Sequence, residues 1–251
     1  YQTKQYVDAE KLSISITQEF PEHPFAWKVL GAALKQMGKI NESLVASQKS
    51  IKFNPQDAEA HSNLSVTLKE LGRLEEAEAS LRKAIAFKPD YTEGHYNLGV
   101  TLKELGRLEE AEASYRRAIE LKPEFSLTHN NLGVTLKELG RLDEAEASYR
   151  RAIELNPNYA DAHSNLGNRL FDKGNLVEAI DCYKQALNIQ PNHANAWHNI
   201  FFSIQAIKLQ NPLIKNSTLL LGKQESSNLT QIFKSILNYH LNLGTTSVNN
   251  A

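Results

Sequence analysis

What the chain holds little of narrows the field first. Its 251 residues include a single cysteine, Cys182, so no disulfide can close within it and a reducing compartment is expected. No apolar run approaches the roughly 18 residues that a membrane-crossing helix needs. The net charge is −1, which gives no basic field to draw nucleic acid or an anionic membrane surface. No glycine-rich phosphate loop is present, and no recurring histidine–carboxylate arrangement accompanies Cys182. Disulfide scaffolds, helical membrane proteins and nucleic-acid binders are thereby disfavoured. No catalytic residue, cofactor or metal is expected, and the expected location is the cytoplasm. The sequence opens at Tyr1 rather than methionine, so a fragment or a processed product is expected, with a preceding targeting segment left open.

Proline and glycine are also few, eight and twelve, but most of them keep time. Pro21, Pro55, Pro89, Pro123, Pro157 and Pro191 follow one another at intervals of 34 residues. Gly38, Gly72, Gly106, Gly140 and Gly174 do the same. The stretch NLGVTLKELGRLEEAEASYRRAIELKP from Asn97 returns from Asn131 with two changes. Such copying marks a repeat architecture. Within one unit His95, Leu98, Gly99 and Leu102 fall at i, i+3, i+4 and i+7, one face of a helix. After Gly106 a second helical face carries Ala111, Tyr115, Ala118 and Ile119. Gly106 supplies the turn and Pro123 stops the second helix. Each unit therefore reads as two antiparallel helices.

These residues carry a family resemblance. A large residue, Leu-Gly, a turn glycine, alanine, an aromatic, alanine and proline over 34 positions resemble the tetratricopeptide repeat. The pattern fits residues 24–57, 58–91, 92–125, 126–159 and 160–193. Residues 4–23 match the second helix of an earlier repeat, and 194–207 match a first helix. Ser65 replaces a first-helix glycine, and Ser43 and Ser50 replace alanines, which is expected to loosen packing in the early repeats. The resemblance implies an all-α fold, a right-handed solenoid of antiparallel helix pairs over 1–207. One helical pair cannot bury its apolar face alone, so neighbours must stack.

Most candidate sites dissolve into the repeat. His61, His95, His129 and His163 lie one repeat apart, roughly 10 Å, far beyond the 2.0–2.1 Å reach of a zinc ligand. Trp27 and Trp197 occupy the same position, so a large packed ring is expected there. Cys182 aligns with Ala46, Ser80, Ser114 and Ser148, a slot for a small residue. Glu78–Arg82, Glu112–Arg116 and Glu146–Arg150 are i,i+4 pairs that support their helices.

The asparagines stand apart. Asn63, Asn97, Asn131, Asn165 and Asn199 recur every 34 residues. At 100° per residue, Asn97 points about 150° away from the apolar stripe, and so outward. An exposed asparagine gains nothing for its own helix, but its amide can donate to and accept from a peptide backbone at once. Val66, Val100 and Val134 share the outward arc, as do Glu70, Glu104 and Glu138. Recent duplication alone would also copy these rows, although it accounts less well for Asn165 and Asn199, whose surroundings have diverged. The row is similar to the asparagine ladder of the O-linked N-acetylglucosamine transferase repeat domain, which implies an inner surface that holds an extended peptide by its backbone. A clamp for a terminal carboxylate, as in chaperone-tail binders, would use Lys28, Ala32, Asn63, Glu93 and Asn97, and Glu93 would repel the ligand.

The expected function is a scaffold that binds protein or peptide segments along a groove, using these asparagines, valines and glutamates. Two other readings stand beside it. One is the substrate-recruiting part of a larger transferase, because bacterial proteins resembling this array carry a sulfotransferase or glycosyltransferase after it. The other is a homo-oligomer formed through solenoid ends or the tail. After Gln210 the template stops, and Leu229–Leu241 reads as one more amphipathic helix, with Ile232, Phe233, Ile236, Leu237 and His240 on a face. Residues 208–251 are thus expected to be a capping helix, folding onto Ile200, Phe201, Ile204 and Ile207, or a linker.

Overall fold

A computed structural model describes residues 2–210, and the tail from 211 onward, including the expected capping helix, lies outside the described residues. Twelve helices run in chain order among the described residues: α1 Gln2–Glu19, α2 Pro24–Gln36, α3 Ile40–Phe53, α4 Ala58–Glu70, α5 Leu74–Phe87 and α6 Thr92–Glu104. They continue as α7 Leu108–Leu121, α8 Ser126–Glu138, α9 Leu142–Leu155, α10 Ala160–Asp172, α11 Leu176–Ile189 and α12 Ala194–Gln210. The fold class is that of an all-α helical-repeat solenoid. The chain divides between Ser148 and Tyr149 into two compact units.

The glycine period sets the turns. Gly38, Gly72, Gly106, Gly140 and Gly174 have φ between 73° and 80°, the left-handed region that side chains disfavour. Around Gly72, the Gly72 N–H donates to the Lys69 carbonyl and the Arg73 N–H to the Leu68 carbonyl, both at 2.9 Å. That pair of bonds satisfies the orphan carbonyls of the ending helix and reverses the chain. The same two bonds close the turns at Gly106 and Gly174.

Packing between the two helices of a repeat depends on matched sizes. Leu98 and Leu102 of α6 meet Ala111, Tyr115 and Ala118 of α7, all at most 6% exposed. A Cβ on Gly99 would lie 2.6 Å from a Tyr115 ring carbon, and one on Gly167 would lie 2.6 Å from Tyr183. Glycine is required wherever tyrosine faces it. In the 58–91 repeat Ser65 faces Leu81, 1% and 0% exposed, and the smaller leucine leaves room. The serines expected to loosen the early repeats are in fact bonded. Ser43 Oγ donates to the Gly31 carbonyl at 2.8 Å, Ser50 Oγ to the Pro24 carbonyl at 3.0 Å, and Ser65 Oγ to the Ser62 carbonyl at 2.6 Å.

Charge ties neighbouring repeats on the outer helices of the first unit. Glu78 accepts from Arg82 at 2.8 Å and from Arg107 at 2.6 Å; Glu110 accepts from Arg107 at 2.6 Å and Arg82 at 3.2 Å. The four side chains close a ring across the boundary between repeats. One repeat on, Glu112, Arg116, Arg141 and Glu144 close an identical ring. Bonds from Arg107 and Arg141 hold the Glu110 and Glu144 carboxyls below their ordinary range. At the earlier boundary Leu44 and Gln48 stand where Glu78 and Arg82 would be, and Arg73 pairs within its own turn with Glu76.

In the second unit α10, α11 and α12 pack on one another. Ile200, Ile204 and Ile207 of α12 are at most 9% exposed, while Phe202 is 46% exposed.

Candidate functional site

The recurring histidines are structural, for a reason that spacing alone did not reveal. His95 Nε2 lies 2.9 Å from the Pro89 carbonyl, and His61, His129 and His163 make the same bond to Pro55, Pro123 and Pro157 at 2.8–2.9 Å. A carbonyl can only accept, so Nε2 carries the proton. Trp27 Nε1 donates to the Pro21 carbonyl at 2.7 Å and Trp197 Nε1 to Pro191 at 2.9 Å. The position therefore needs a ring N–H that reaches back six residues, which both residue types supply. Among the described residues no three His, Cys, Asp or Glu side chains come together to hold a metal ion. Burial pushes the Cys182 thiol up to about 11, against the opposing pull of Arg150, so the thiolate needed by a nucleophile is scarce near neutrality.

The asparagine row is placed differently from the outward position expected. All five asparagines are half-buried. A helical wheel measures direction from a residue's own helix, whereas Asn97, Asn131 and Asn199 bond to the first helix of the preceding repeat. Asn97 Nδ2 donates to Ser62 Oγ at 3.1 Å, and Asn131 Nδ2 donates to the Tyr96 hydroxyl at 3.1 Å. In the second unit Asn199 Nδ2 donates to Asn168 Oδ1 at 2.6 Å, and the Tyr183 hydroxyl donates to the same oxygen at 2.9 Å. Asn63 makes no side-chain hydrogen bond among the described residues. Its counterpart on the preceding first helix is Lys28, which is taken by Asp57 at 3.0 Å and Glu59 at 2.8 Å. Those pairs also remove Lys28 from any carboxylate clamp.

The valines and glutamates share this face. Val66, Val100 and Val134 are half-buried rather than exposed. Glu104 accepts from Lys69 and Glu138 from Lys103, each at 3.0 Å, so two of the three glutamates are neutralised by the preceding repeat. Glu70 forms no ion pair among the described residues.

Aromatic rings that sequence reasoning passed over stand beside the amides. Tyr91 and Phe125 are the N-cap residues of α6 and α8. The Phe125 ring sits 5.2 Å from Tyr96, tilted by 43°, and Tyr96 in turn lies 6.1 Å from Tyr115. Burial raises the Tyr91 phenol pKa against an opposing hydrogen bond with Ser62. Burial also raises that of Tyr96, with Asn131 opposing. Tyr91 thus adjoins the residue that Asn97 holds, and Phe125 the residue that Asn131 holds. At the N-terminal end Asp57 replaces the ring, and Lys28, Gln56, Asp57, Ala58, Glu59, Phe87 and Lys88 line an open depression of about 410 Å³.

Family comparison agrees with this geometry. Models described as TPR repeat match residues 67–106, 135–168 and 167–200, and models described as tetratricopeptide repeat match 46–79, 92–125 and 114–147. Together they run without a gap from residue 46 to residue 200. The chain belongs to the tetratricopeptide-repeat family. No curated protein matches this TPR chain. Among solved structures, it resembles the thermophilic TPR protein TTC0263 of Thermus thermophilus at 26% identity and TM-score 0.59, covering 72% of this chain and 99% of that one. YrrB, described as a TPR protein with an unusual peptide-binding site, is 24% identical, with TM-score 0.58 and coverage of 74% and 96%. The Cut9 and Hcn1 assembly of the APC/C matches at 20% identity and TM-score 0.71, over 90% of this chain and 46% of that one.

Proposed function

We propose that this TPR protein is a binding scaffold that holds an extended peptide segment against its first helices, by backbone contacts from the asparagine row. One observation carries the reading. The Asn97 amide spends one N–H on Ser62 of the preceding repeat, which fixes its orientation and leaves a second N–H and the carbonyl oxygen for a ligand. Asn131 is fixed by Tyr96 in the same way, and its oxygen, which accepts from Asn130 at 3.4 Å, keeps one lone pair. A side chain already held in place loses little entropy when it binds. The surroundings suit an uncharged peptide. Val66, Val100 and Val134 supply apolar contact, and the Lys69–Glu104 and Lys103–Glu138 pairs cancel the charges beside them.

Alanine is a poor probe here, because it would strip Ser62 and Tyr96 of a donor. Aspartate is nearly isosteric, and the two hydroxyls can donate to it. The double variant N97D/N131D is expected to keep its helical circular dichroism and its melting temperature. It loses the free N–H donors and gains charge, so peptides selected on the wild-type chain from a random library should bind it at least tenfold more weakly, a loss of about 1.4 kcal/mol. Equal affinity for both proteins would refute the backbone-contact reading.

A further inference from the structure

The first helices of neighbouring repeats in residues 1–148 touch directly: α4 packs on both α2 and α6, and α6 on α8. Packed helices lie about 8–10 Å apart, so the stations at Asn97 and Asn131 repeat at that interval. A ligand that meets each station in the same way must return to the same face at the same interval. A β-strand returns after two residues, about 7 Å, or after four, about 13 Å, and neither fits. An α-helix comes closer, at about 10.5 Å per seven residues, but its backbone groups are already bonded to one another and leave nothing for an asparagine. A polyproline-II helix returns every three residues, about 9.3 Å, and has no internal hydrogen bonds. Its carbonyls are free to accept.

Resting on the groove reading above, we propose that the occupant is an uncharged, proline-rich segment in the polyproline-II conformation, with prolines three residues apart. The rings support this choice independently of the period. Proline-rich ligands dock on aromatic-lined grooves that also offer hydrogen-bond donors. Here a ring and an amide recur together, Tyr91 with Asn97 and then Phe125 with Asn131, one repeat later. Tyr96 lies between them, its ring 5.2 Å from Phe125 and its hydroxyl on Asn131. Each turn of the ligand would set one proline on a ring and turn a carbonyl towards the neighbouring amide. A proline has no N–H, so the contact asks only for a donor, which the second amide hydrogen provides at Asn97 and, in competition with the Tyr115 hydroxyl, at Asn131.

The test titrates the full chain with two uncharged fluorescent probes of equal length, decaproline and an alternating Val-Thr strand former, read by anisotropy. The same titrations are run on N97D/N131D and on Y91A/F125A, whose folding is checked by circular dichroism. Decaproline should bind the wild-type chain more tightly than the Val-Thr probe, and either variant should weaken it about tenfold or more. Tighter binding of the Val-Thr probe, lost in N97D/N131D, would overturn the polyproline-II assignment and leave the groove intact. Decaproline binding unchanged in both variants would overturn it as well, by placing the ligand elsewhere. If neither probe binds the folded wild-type chain, the proposal fails. Peptides selected on this face from a random library would then show whether the groove survives without it.

Discussion

Alanine in place of Gly99 is expected to cost about 1–3 kcal/mol, the range for overpacking a core. In an exposed helix interior the same change would stabilise by about 0.5–1 kcal/mol. The sign is reversed because the new Cβ lands 2.6 Å from the Tyr115 ring, which is 1% exposed and has nowhere to go. The protein itself contains the compensated version. One repeat earlier, Ser65 and Leu81 stand where Gly99 and Tyr115 stand. Combining Gly99→Ser with Tyr115→Leu should therefore recover part of what each change costs alone, with a favourable coupling of about 1 kcal/mol or more. Urea denaturation of the four proteins completes the cycle. Additive costs would mean that the two positions do not constrain each other.

The second large effect is at Asp57. Its carboxylate caps α4, accepting from the Ala60 N–H at 3.0 Å, and also holds Lys28 at 3.0 Å. Both side chains are largely buried, 17% and 16% exposed. Asp57→Ala removes the cap, worth typically about 1 kcal/mol, and leaves Lys28 with Glu59 alone, so a total loss of about 2 kcal/mol is expected. Asparagine is as good an N-cap as aspartate, so Asp57→Asn should cost less. The pH dependence has a definite sign. Burial would raise the Asp57 pKa, but the Ala60 N–H and the Lys28 ammonium outweigh it and hold the carboxyl below its ordinary value. Its stabilisation is therefore present above about pH 3.9 and is lost as pH falls through the lower, folded value. Lys28 behaves oppositely. Burial would lower it, but its bonds to Glu59 and Asp57 raise it, so its share persists below about pH 10.4 and fades above. The deficit of Asp57→Ala should thus be flat between those limits and shrink in acid. A deficit undiminished at about pH 2, below the ordinary carboxylate range, would show that the charge of Asp57 is not what stabilises the fold.

Much of this architecture was legible in the sequence, because it depends on short-range rules. A glycine in the left-handed region and a proline that ends a helix act on their immediate neighbours, so their 34-residue period marks every turn. What the sequence hid lies between repeats. The wheel sent Asn97 outward because it contains one helix, while the Ser62 that receives the amide belongs to another. For the same reason Glu104 and Glu138 read as free charges, though Lys69 and Lys103 of the preceding repeats meet them. The role of the histidine could have been inferred: His and Trp share little except a ring N–H, and that exchange at one position implied a fixed acceptor. The Tyr91 and Phe125 rings offered no comparable signal, since they occupy a loop position where Asp57 and His23 also occur.

The two charge rings bear on the order in which the first unit opens. In a linear array each repeat feels only its neighbours, so stability is a sum of repeat terms and boundary terms. The boundaries on either side of residues 92–125 each carry a closed ring, and the boundary before residue 58 carries none. Opening should therefore begin as fraying of α1 to α3, with α5 to α7 among the last to exchange. Native-state hydrogen exchange would show this as a gradient of amide protection rising from α2 towards α7. Raising the salt concentration should flatten that gradient, because exposed charges are screened beyond about 3 Å at roughly 1 M. The N-terminal repeat then becomes the compliant end of this unit, able to loosen while the stations at Asn97 and Asn131 stay in register.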